Sequence, residues 1–200
     1  MKRCRIIGLT GQSGAGKSTV LRCWQSLGAC IFDSDLAVRR IYETNPACLN
    51  AVAARFGADI TDDGGQLIRP LLAQRAFQSA ENTRALNELV HPFVTAEMLK
   101  LIKQEQPDVI VCDAPQLFES NIDVLCDVIV SVTAGREKRL ERICLRDGIS
   151  PEQARLRINA QLDERFFREH SDIVIENDRD EADLIKKAED AFDLIIKPKG

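Results

Sequence analysis

The stretch Gly11-Gln-Ser-Gly-Ala-Gly16-Lys17-Ser18 decides the fold of this chain of 200 residues. It fits the pattern G-x-x-x-x-G-K-[ST] at every fixed position, and it follows a short apolar run and opens a helical pattern. Glycines let successive backbone N–H groups turn toward phosphate oxygens, and the N-terminus of the helix adds a favourable dipole. The sequence therefore predicts a phosphate-binding cradle here, in preference to a glycine-rich turn that only connects strand and helix.

Five short apolar runs predict a parallel sheet with helices on both faces, a three-layer α/β fold. The runs are Arg5–Leu9, Ala29–Phe32, Val109–Cys112, Val128–Val132 and Ile173–Ile175. One helix is predicted from about Lys17 to Leu27, ending at Gly28. Another begins near Pro151, with Ser150 as its cap. These boundary signals agree with the alternation of strands and helices.

A single domain is predicted over residues 1–200, with its core at about 1–33, 107–135 and 170–196. The segment 34–106 is far longer than a simple crossover needs, so it predicts an inserted helical region that binds substrate. The arginine-rich segment 136–169 predicts a lid. The net charge of −4 gives no general attraction to nucleic acid or to anionic lipid. The sequence leaves the oligomeric state open.

The composition indicates a cytoplasmic protein. No apolar run approaches the roughly 20 residues that span a membrane, and the stretch that follows Met1–Arg5 is too short to be a signal peptide. The seven cysteines are odd in number and include no C-x-x-C pair, which argues against a disulfide framework and against a zinc site. We expect them to be reduced.

The cradle predicts that the chain binds ATP and Mg²⁺. In this pattern the lysine, Lys17, neutralises the β and γ phosphates, and the hydroxyl of Ser18 binds magnesium. Asp113 ends a buried strand and is the second candidate for the magnesium site, although many strands end in Asp for capping reasons. The residues predicted to contact the nucleotide in the cradle are Gly11, Gln12, Ser13, Gly14, Ala15, Gly16, Lys17, Ser18 and Thr19.

Two carboxylates follow the second predicted strand, at the edge of the sheet where such folds bind ligands. Asp33 or Asp35 is placed to accept the proton of an attacking hydroxyl, and either one is equally suited to cap the next helix. Chemistry alone does not separate the two. The guanine-reading motif N-K-x-D is absent, which disfavours a GTPase.

Three arginines share one face of the predicted lid helix. The spacing of Arg139, Arg142 and Arg146 allows them to point together at a triphosphate. The alternative is a solvated basic face that pairs with Glu141 and Asp147, because charged helix faces are usually solvated.

The motifs along nearly the whole chain resemble those of the dephospho-CoA kinase family. Before the third strand they are Gly8-Leu-Thr-Gly11, Asp33-x-Asp35 with Arg39, Leu67-x-Arg69, Arg75-Ala-Phe77 and His91-Pro92-x-Val94. After it they are Pro115-x-Leu-Phe-Glu119, Arg142-x-x-x-Arg146, Arg157-Ile-x-Ala-Gln161 and Val174-Ile-x-Asn177. The order and spacing of the set are more specific than the cradle alone.

The resemblance implies a P-loop kinase that transfers the γ-phosphate of ATP to the ribose 3′-hydroxyl of dephospho-CoA, the last step of CoA synthesis. It implies Asp33 as the general base, with Lys17 and Arg142 as the other catalytic residues. It implies Arg142 and Arg146 as lid arginines that contact the nucleotide. It also implies that Asn177 lies near adenine; the alternative is that Asn177 caps the final helix. The substrate contacts that it implies are Asp33, Asp35, Arg39, Arg69, His91 and Pro115.

Three points stay open in the sequence. His91 precedes Pro92, which predicts a turn or a helix start, and a lone histidine is more often structural. Gln116 and Arg139 depart from the family pattern, which usually has an apolar residue and a glutamine there. The rival functions are another small-molecule kinase, for which Arg55, Arg69, Arg75 and Arg84 keep a monophosphate acceptor open, and a nucleotide-dependent regulatory module.

Overall fold

The computed structural model describes residues 4–197, so residues 1–3 and 198–200 of the predicted domain lie outside the described residues. The strands are β1 (Arg5–Gly11), β2 (Cys30–Asp33), β3 (Val109–Asp113), β4 (Val128–Thr133) and β5 (Ile173–Glu176). The helices are α1 (Lys17–Ser26), α2 (Ser34–Thr44), α3 (Pro46–Phe56), α4 (Arg69–Ala76), α5 (Ala80–Glu105), α6 (Arg136–Asp147), α7 (Pro151–Asn159), α8 (Glu164–His170) and α9 (Glu181–Ile196).

The chain divides into two compact units. The first contains the residues up to Ile31, Pro107–Leu117 and the residues from Cys126 onward. The second contains Phe32–Gln106 and Phe118–Leu125. The predicted insertion, 34–106, therefore falls within the second unit, and the predicted lid, 136–169, within the first.

The sequence predicts Phe118–Leu125 as part of the core, but the structure places this segment in the second unit. Two hydrogen bonds attach it to α5: Asn87 Nδ2 donates to Glu119 O at 2.5 Å, and His91 Nε2 lies 3.1 Å from Asn121 O. The sequence of the segment itself does not indicate this attachment, because the attachment depends on side chains of α5 that lie more than 25 positions away in sequence.

The sheet confirms the predicted fold class. The described residues form a five-stranded sheet in the order β2-β3-β1-β4-β5, and β1 pairs in parallel with both β3 and β4. β4 pairs in parallel with β5. Each predicted apolar run is a strand, with ends that differ by at most two residues. The carboxyl ends of β1 and β3 lie side by side, which brings the start of the cradle next to Asp113.

The core of the first unit lies between the sheet and helices α1 and α9. Trp24 is fully buried there, its ring centroid lies 5.8 Å from that of Phe192, and its Nε1 donates to Ala188 O at 2.7 Å. A buried indole with a satisfied N–H group contributes apolar burial without a desolvation cost for its polar atom. These contacts hold the C-terminal half of α1 against α9.

Helix starts in both units carry the expected caps. α7 begins at Pro151 as predicted: Ser150 and Gln153 form a reciprocal capping box. In the second unit Asp33 caps α2, because its Oδ1 accepts from Leu36 N at 2.8 Å, and Asn45 caps α3.

The prediction of a turn or helix start at His91-Pro92 is wrong. Both residues lie inside α5, which runs without interruption for 26 residues. Pro92 has no N–H group to donate to the carbonyl four residues earlier, so the helix loses one hydrogen bond. Burial of Val90, Val94 and Met98 on one face stabilises the helix across this point. Within the described part of the chain, no helix is both long and apolar enough to cross a membrane.

Candidate active site

The cradle borders a cavity of about 630 Å³ in the first unit. Four of the side chains that line the cavity are cationic, namely those of Lys17, Arg142, Arg146 and Arg157. The other lining residues are Gly11, Gln12, Ser13, Gly14, Gly16, Ser18, Pro115 and Gln161. A concave site with this excess of positive charge is suited to a compact polyanion such as a triphosphate.

Two glycines of the cradle have backbones that other residues adopt only with strain. Gly14 has φ of +78° and Gly16 has φ of +105°. A Cβ on Gly14 would lie 2.9 Å from Arg139 O, and one on Gly16 would overlap the amide nitrogen of Asn177. The glycines therefore allow both the turn of the loop and the close approach of its supporting residues.

Side chains hold three consecutive carbonyls of the loop. Arg139 Nε donates to Ser13 O at 3.0 Å, Arg142 Nη1 to Gly14 O at 3.3 Å, and Asn177 Nδ2 to Ala15 O at 2.8 Å. Arg142 Nη2 also donates to Asn177 Oδ1 at 3.3 Å, which links two of the supports. These bonds fix the direction of the peptide groups in the loop before any ligand binds.

Lys17 and Asp113, the two charged residues predicted for the nucleotide and the metal, form an ion pair. Their side chains are 18% and 15% exposed, so the pair is largely screened from solvent. Ser18 is exposed and lines the cavity. Ala15 and Thr19 are not among the residues that line the cavity: Ala15 is buried, and Thr19 Oγ1 accepts from Arg22 Nη2 at 3.1 Å.

Two of the cationic side chains at the cavity share one carboxylate. Asp147 accepts from Arg146 through both oxygens, at 2.7 and 2.9 Å, and it also accepts from Arg157. The hydrogen bonds from Arg146, and after them those from Arg157, lower the pKa of Asp147 to about 2. The carboxylate is therefore ionised at neutral pH and keeps both arginines at this side of the cavity.

The comparisons with known proteins agree on one family. The model of the dephospho-CoA kinase family matches residues 5–183. A dephospho-CoA kinase of Corynebacterium diphtheriae is 40% identical over 176 residues, which cover 86% of this chain and 88% of that protein.

The chain belongs to the dephospho-CoA kinase family. The prediction made from the motifs is thereby confirmed.

Two solved structures share the fold of this chain. A Thermus thermophilus protein, TT1252, superposes with a TM-score of 0.81 at 28% identity, covering 98% of this chain and 100% of that one. The dephospho-CoA kinase of Campylobacter jejuni superposes with a TM-score of 0.66 at 24% identity, covering 98% of both chains. The second likeness shows the shared fold.

Most residues that the dephospho-CoA kinase resemblance implies for the substrate lie in the second unit. Asp33, Asp35 and Arg39 are exposed at the start and middle of α2. Arg69 begins α4, and its Nη2 donates to Glu43 Oε1 at 3.2 Å. The structure thus places these four residues on or beside one helix.

The other two implied substrate residues lie apart from that helix. His91 lies on α5 and contacts the segment after β3 through Asn121 O. Pro115 lines the cavity of the first unit, and its carbonyl accepts from Thr10 Oγ1 at 3.2 Å. Asp33 also caps α2, so one of its oxygens has a structural role whichever function the other has.

Two residues at the cradle differ from their sequence interpretation. Asp180, not Asn177, caps α9, so the capping alternative for Asn177 is wrong. Asn177 is 5% exposed and supports the loop backbone instead, while its predicted contact with adenine stays a prediction. Arg139 does not line the cavity with Arg142 and Arg146; it is buried, and its Nε donates to Ser13 O.

Sequence reasoning did not assign a role to Arg157 or Gln161, although both line the cavity. Gln161 Oε1 accepts from the backbone N–H of Ser13 at 3.1 Å. A signal was available, since both belong to the family motif Arg157-Ile-x-Ala-Gln161. Gln161 lies 148 positions after Ser13, so no local pattern in the sequence indicates their contact.

Proposed function

We propose that this chain transfers the γ-phosphate of ATP to the ribose 3′-hydroxyl of dephospho-CoA, giving CoA and ADP. The observation that carries the proposal is the cationic cavity built on the cradle, which suits a nucleoside triphosphate. Membership of the dephospho-CoA kinase family supports the acceptor. The names of the curated relatives support the same acceptor.

The chemistry of this step depends mainly on position and charge. In phosphoryl transfer the developing charge spreads over the phosphate oxygens, so fixed N–H groups and cations stabilise it. The loop amides, Lys17 and Arg142 supply that stabilisation in our proposal. A triphosphate has to compete with Asp113 for the ammonium group of Lys17, and its greater negative charge favours the exchange.

The side chains at the cradle fit a magnesium ion. Ser18 offers an exposed hydroxyl at the cavity and Asp113 a carboxylate, and hard cations of this kind prefer oxygen ligands. We propose that Ser18 holds the ion directly and Asp113 through water. When bound, Mg²⁺ supplies positive charge that neutralises the phosphate oxygens.

Asp33 is our proposed general base, which accepts the proton of the acceptor hydroxyl. Asp33 Oδ1 accepts from Leu36 N, and the second oxygen of an ionised carboxylate can accept a further hydrogen bond. Asp35, Arg39, Arg69 and His91 are proposed to bind the rest of dephospho-CoA.

We also propose that the lid arginines close over the phosphates and exclude water, because open access would allow ATP hydrolysis. The proposed location is the cytoplasm, where thiols stay reduced.

The hydrogen bonds of Arg75 disfavour the alternative function of a nucleoside monophosphate kinase. Arg75 donates to both carboxylate oxygens of Asp59, at 2.7 and 2.6 Å, and to Phe56 O at 2.6 Å. A guanidinium with three acceptors inside its own unit is poorly available for an acceptor phosphate.

The test is ADP production by the purified chain with ATP and Mg²⁺, using dephospho-CoA, AMP or no acceptor. We expect turnover with dephospho-CoA alone and a product heavier by one phosphate. The 3′-deoxy analogue of dephospho-CoA should give no product, which fixes the position of transfer. Turnover with AMP would show that the acceptor is a nucleoside monophosphate instead of dephospho-CoA. Hydrolysis of ATP without an acceptor would favour the regulatory module.

A further inference from the structure

Arg139 is buried, unlike the other charged side chains described within residues 4–197. It is 4% exposed, and the remaining buried polar residues of that range are uncharged. A buried cation is costly unless hydrogen bonds and nearby charges compensate for the lost water. The position of Arg139 therefore calls for a physical reason.

Both groups that Arg139 contacts belong to the support of the cradle. Its Nε donates to Ser13 O at 3.0 Å, and its Nη2 donates to Gln161 Oε1 at 2.8 Å. The same Gln161 oxygen accepts from Ser13 N at 3.1 Å. Arg139 thus holds the Ser13 carbonyl directly and orders the acceptor of the Ser13 amide.

These two acceptors are neutral, so they satisfy two of the five N–H donors of Arg139 without cancelling its charge. Burial, and after it the positive charge of Arg136, lowers the pKa of Arg139, while Glu164 acts in the opposite direction. Even so, arginine remains protonated at physiological pH. A full positive charge accordingly lies directly behind Ser13, which lines the cavity.

We infer that Arg139 is a positioning residue of the cradle. It orients the Ser13 peptide and places a buried positive charge behind the cavity wall, and this charge favours the binding of a polyphosphate over that of a nucleoside. The inference depends on the proposed binding of ATP. It does not depend on which acceptor is phosphorylated.

A purely structural role is the competing explanation, because α6 packs directly on the loop. The Gly14 backbone approaches Arg139 so closely that a Cβ there would lie 2.9 Å from Arg139 O, and Ile143 packs beside it. In that case substitution of Arg139 would destabilise the fold and weaken the binding of every ligand by the same factor. The two explanations therefore differ in how the loss depends on the number of phosphates.

The experiment is titration calorimetry of ATP, ADP and adenosine, with Mg²⁺ present, against the full chain and three variants. Arg139→Gln removes the charge and keeps an amide donor, and Arg139→Lys keeps the charge and loses the planar fork. Arg165→Gln is the matched control, because Arg165 is 83% exposed and pairs with Glu169 on α8. The thermal midpoint of each variant is measured without nucleotide.

We expect Arg139→Gln to weaken the binding of ATP about tenfold and that of ADP by less, and to leave the affinity for adenosine within about twofold of the wild type. The reason is that a charge in a partly buried site acts through a low effective dielectric constant. Arg139→Lys should lose less ATP affinity than Arg139→Gln, and Arg165→Gln should match the wild type. The midpoint of Arg139→Gln should stay within about 3 °C of the wild type, because the lost hydrogen bonds are offset by the removed desolvation cost.

Three results would overturn the inference: ATP affinity of Arg139→Gln within twofold of the wild type, equal losses for ATP and adenosine, or Arg139→Lys no better than Arg139→Gln. Failure of the proposed function looks different. In that case the wild type binds ATP and shows the same dependence on Arg139, but it does not phosphorylate dephospho-CoA.

Discussion

Substitution of Gly16 by alanine tests whether the support of the cradle is as tight as the structure shows. Gly16 has φ of +105°, and its missing Cβ would overlap the Asn177 amide nitrogen and lie 3.0 Å from Leu184 Cδ2. The alanine therefore imposes two separate costs, one on the backbone and one on the Asn177 side chain.

The expected magnitude follows from these two costs. A left-handed backbone at a residue with a Cβ costs about 1 to 2 kcal/mol. Displacing the amide breaks its 2.8 Å bond to Ala15 O, and a buried group that loses its partner costs about 1 to 3 kcal/mol. Gly16→Ala should lower the free energy of unfolding by about 3 kcal/mol. Gly28→Ala is the control, because Gly28 has φ of +95° with nothing within 4 Å of its Cβ position, so it should cost only about 1 kcal/mol.

Urea unfolding followed by the fluorescence of Trp24 measures these values. Trp24 is the only tryptophan, and it is fully buried in the unit that carries the cradle. If Asn177 is the group that Gly16→Ala displaces, the substitution should cost about 1.5 kcal/mol less in an Asn177→Ala background. Additive losses in the double variant would refute the reasoning, because they would show that the two sites do not touch.

Three further predictions concern the reaction and the pH dependence of stability. Lys17→Ala should lower kcat/KM for ATP by about 100-fold or more, measured as ADP production, because the phosphates lose a fixed cation. Asp33→Asn should bind ATP normally and keep its thermal midpoint, since Asn also caps helices, but turnover should fall by about 10² to 10⁴, and near-normal turnover would disprove its role as base. The pKa of Asp147 is lowered to about 2 from an ordinary value of about 3.9. The ionised carboxylate should therefore stabilise the folded state fully above about pH 4, and this contribution to the free energy of unfolding should be lost as the pH falls toward 2. Comparison of acid unfolding between the wild type and Asp147→Asn checks this, and parallel curves would contradict it.

The elements that could be predicted from the sequence are those with local signals. β1 and the cradle follow from one contiguous motif, and α7 follows from Ser150 and Pro151, which sit at its start. Such signals act within a few residues, and the structure changes their ends by one or two positions. The candidate site could be located from the same motif.

The supports of the cradle could not be predicted, because they depend on distant parts of the chain. Arg139 has the spacing of a surface arginine, yet it is buried because α6 packs on Gly14. Asn177 follows β5 and reaches a carbonyl 162 residues earlier. α5 continues through Pro92 because burial of its apolar face outweighs the local preference of the proline.

The bonds to the loop carbonyls also limit which part of the predicted lid can move. Arg139 and Arg142 both donate to the loop from α6, and the contact at Gly14 leaves no room between helix and loop. A rigid movement of α6 would break these bonds and withdraw the support of the loop at the moment of phosphate binding. The side chains of Arg146 and Arg157 are 58% and 47% exposed, and both pair with the Asp147 carboxylate. Arg146 Nη2 also donates to Ser13 Oγ at 3.5 Å, at the edge of the hydrogen-bond range. We therefore expect closure over the phosphates to come from Arg146 and Arg157. Of the two lid arginines that the resemblance implies, Arg142 would stay with α6 on the cradle and only Arg146 would move.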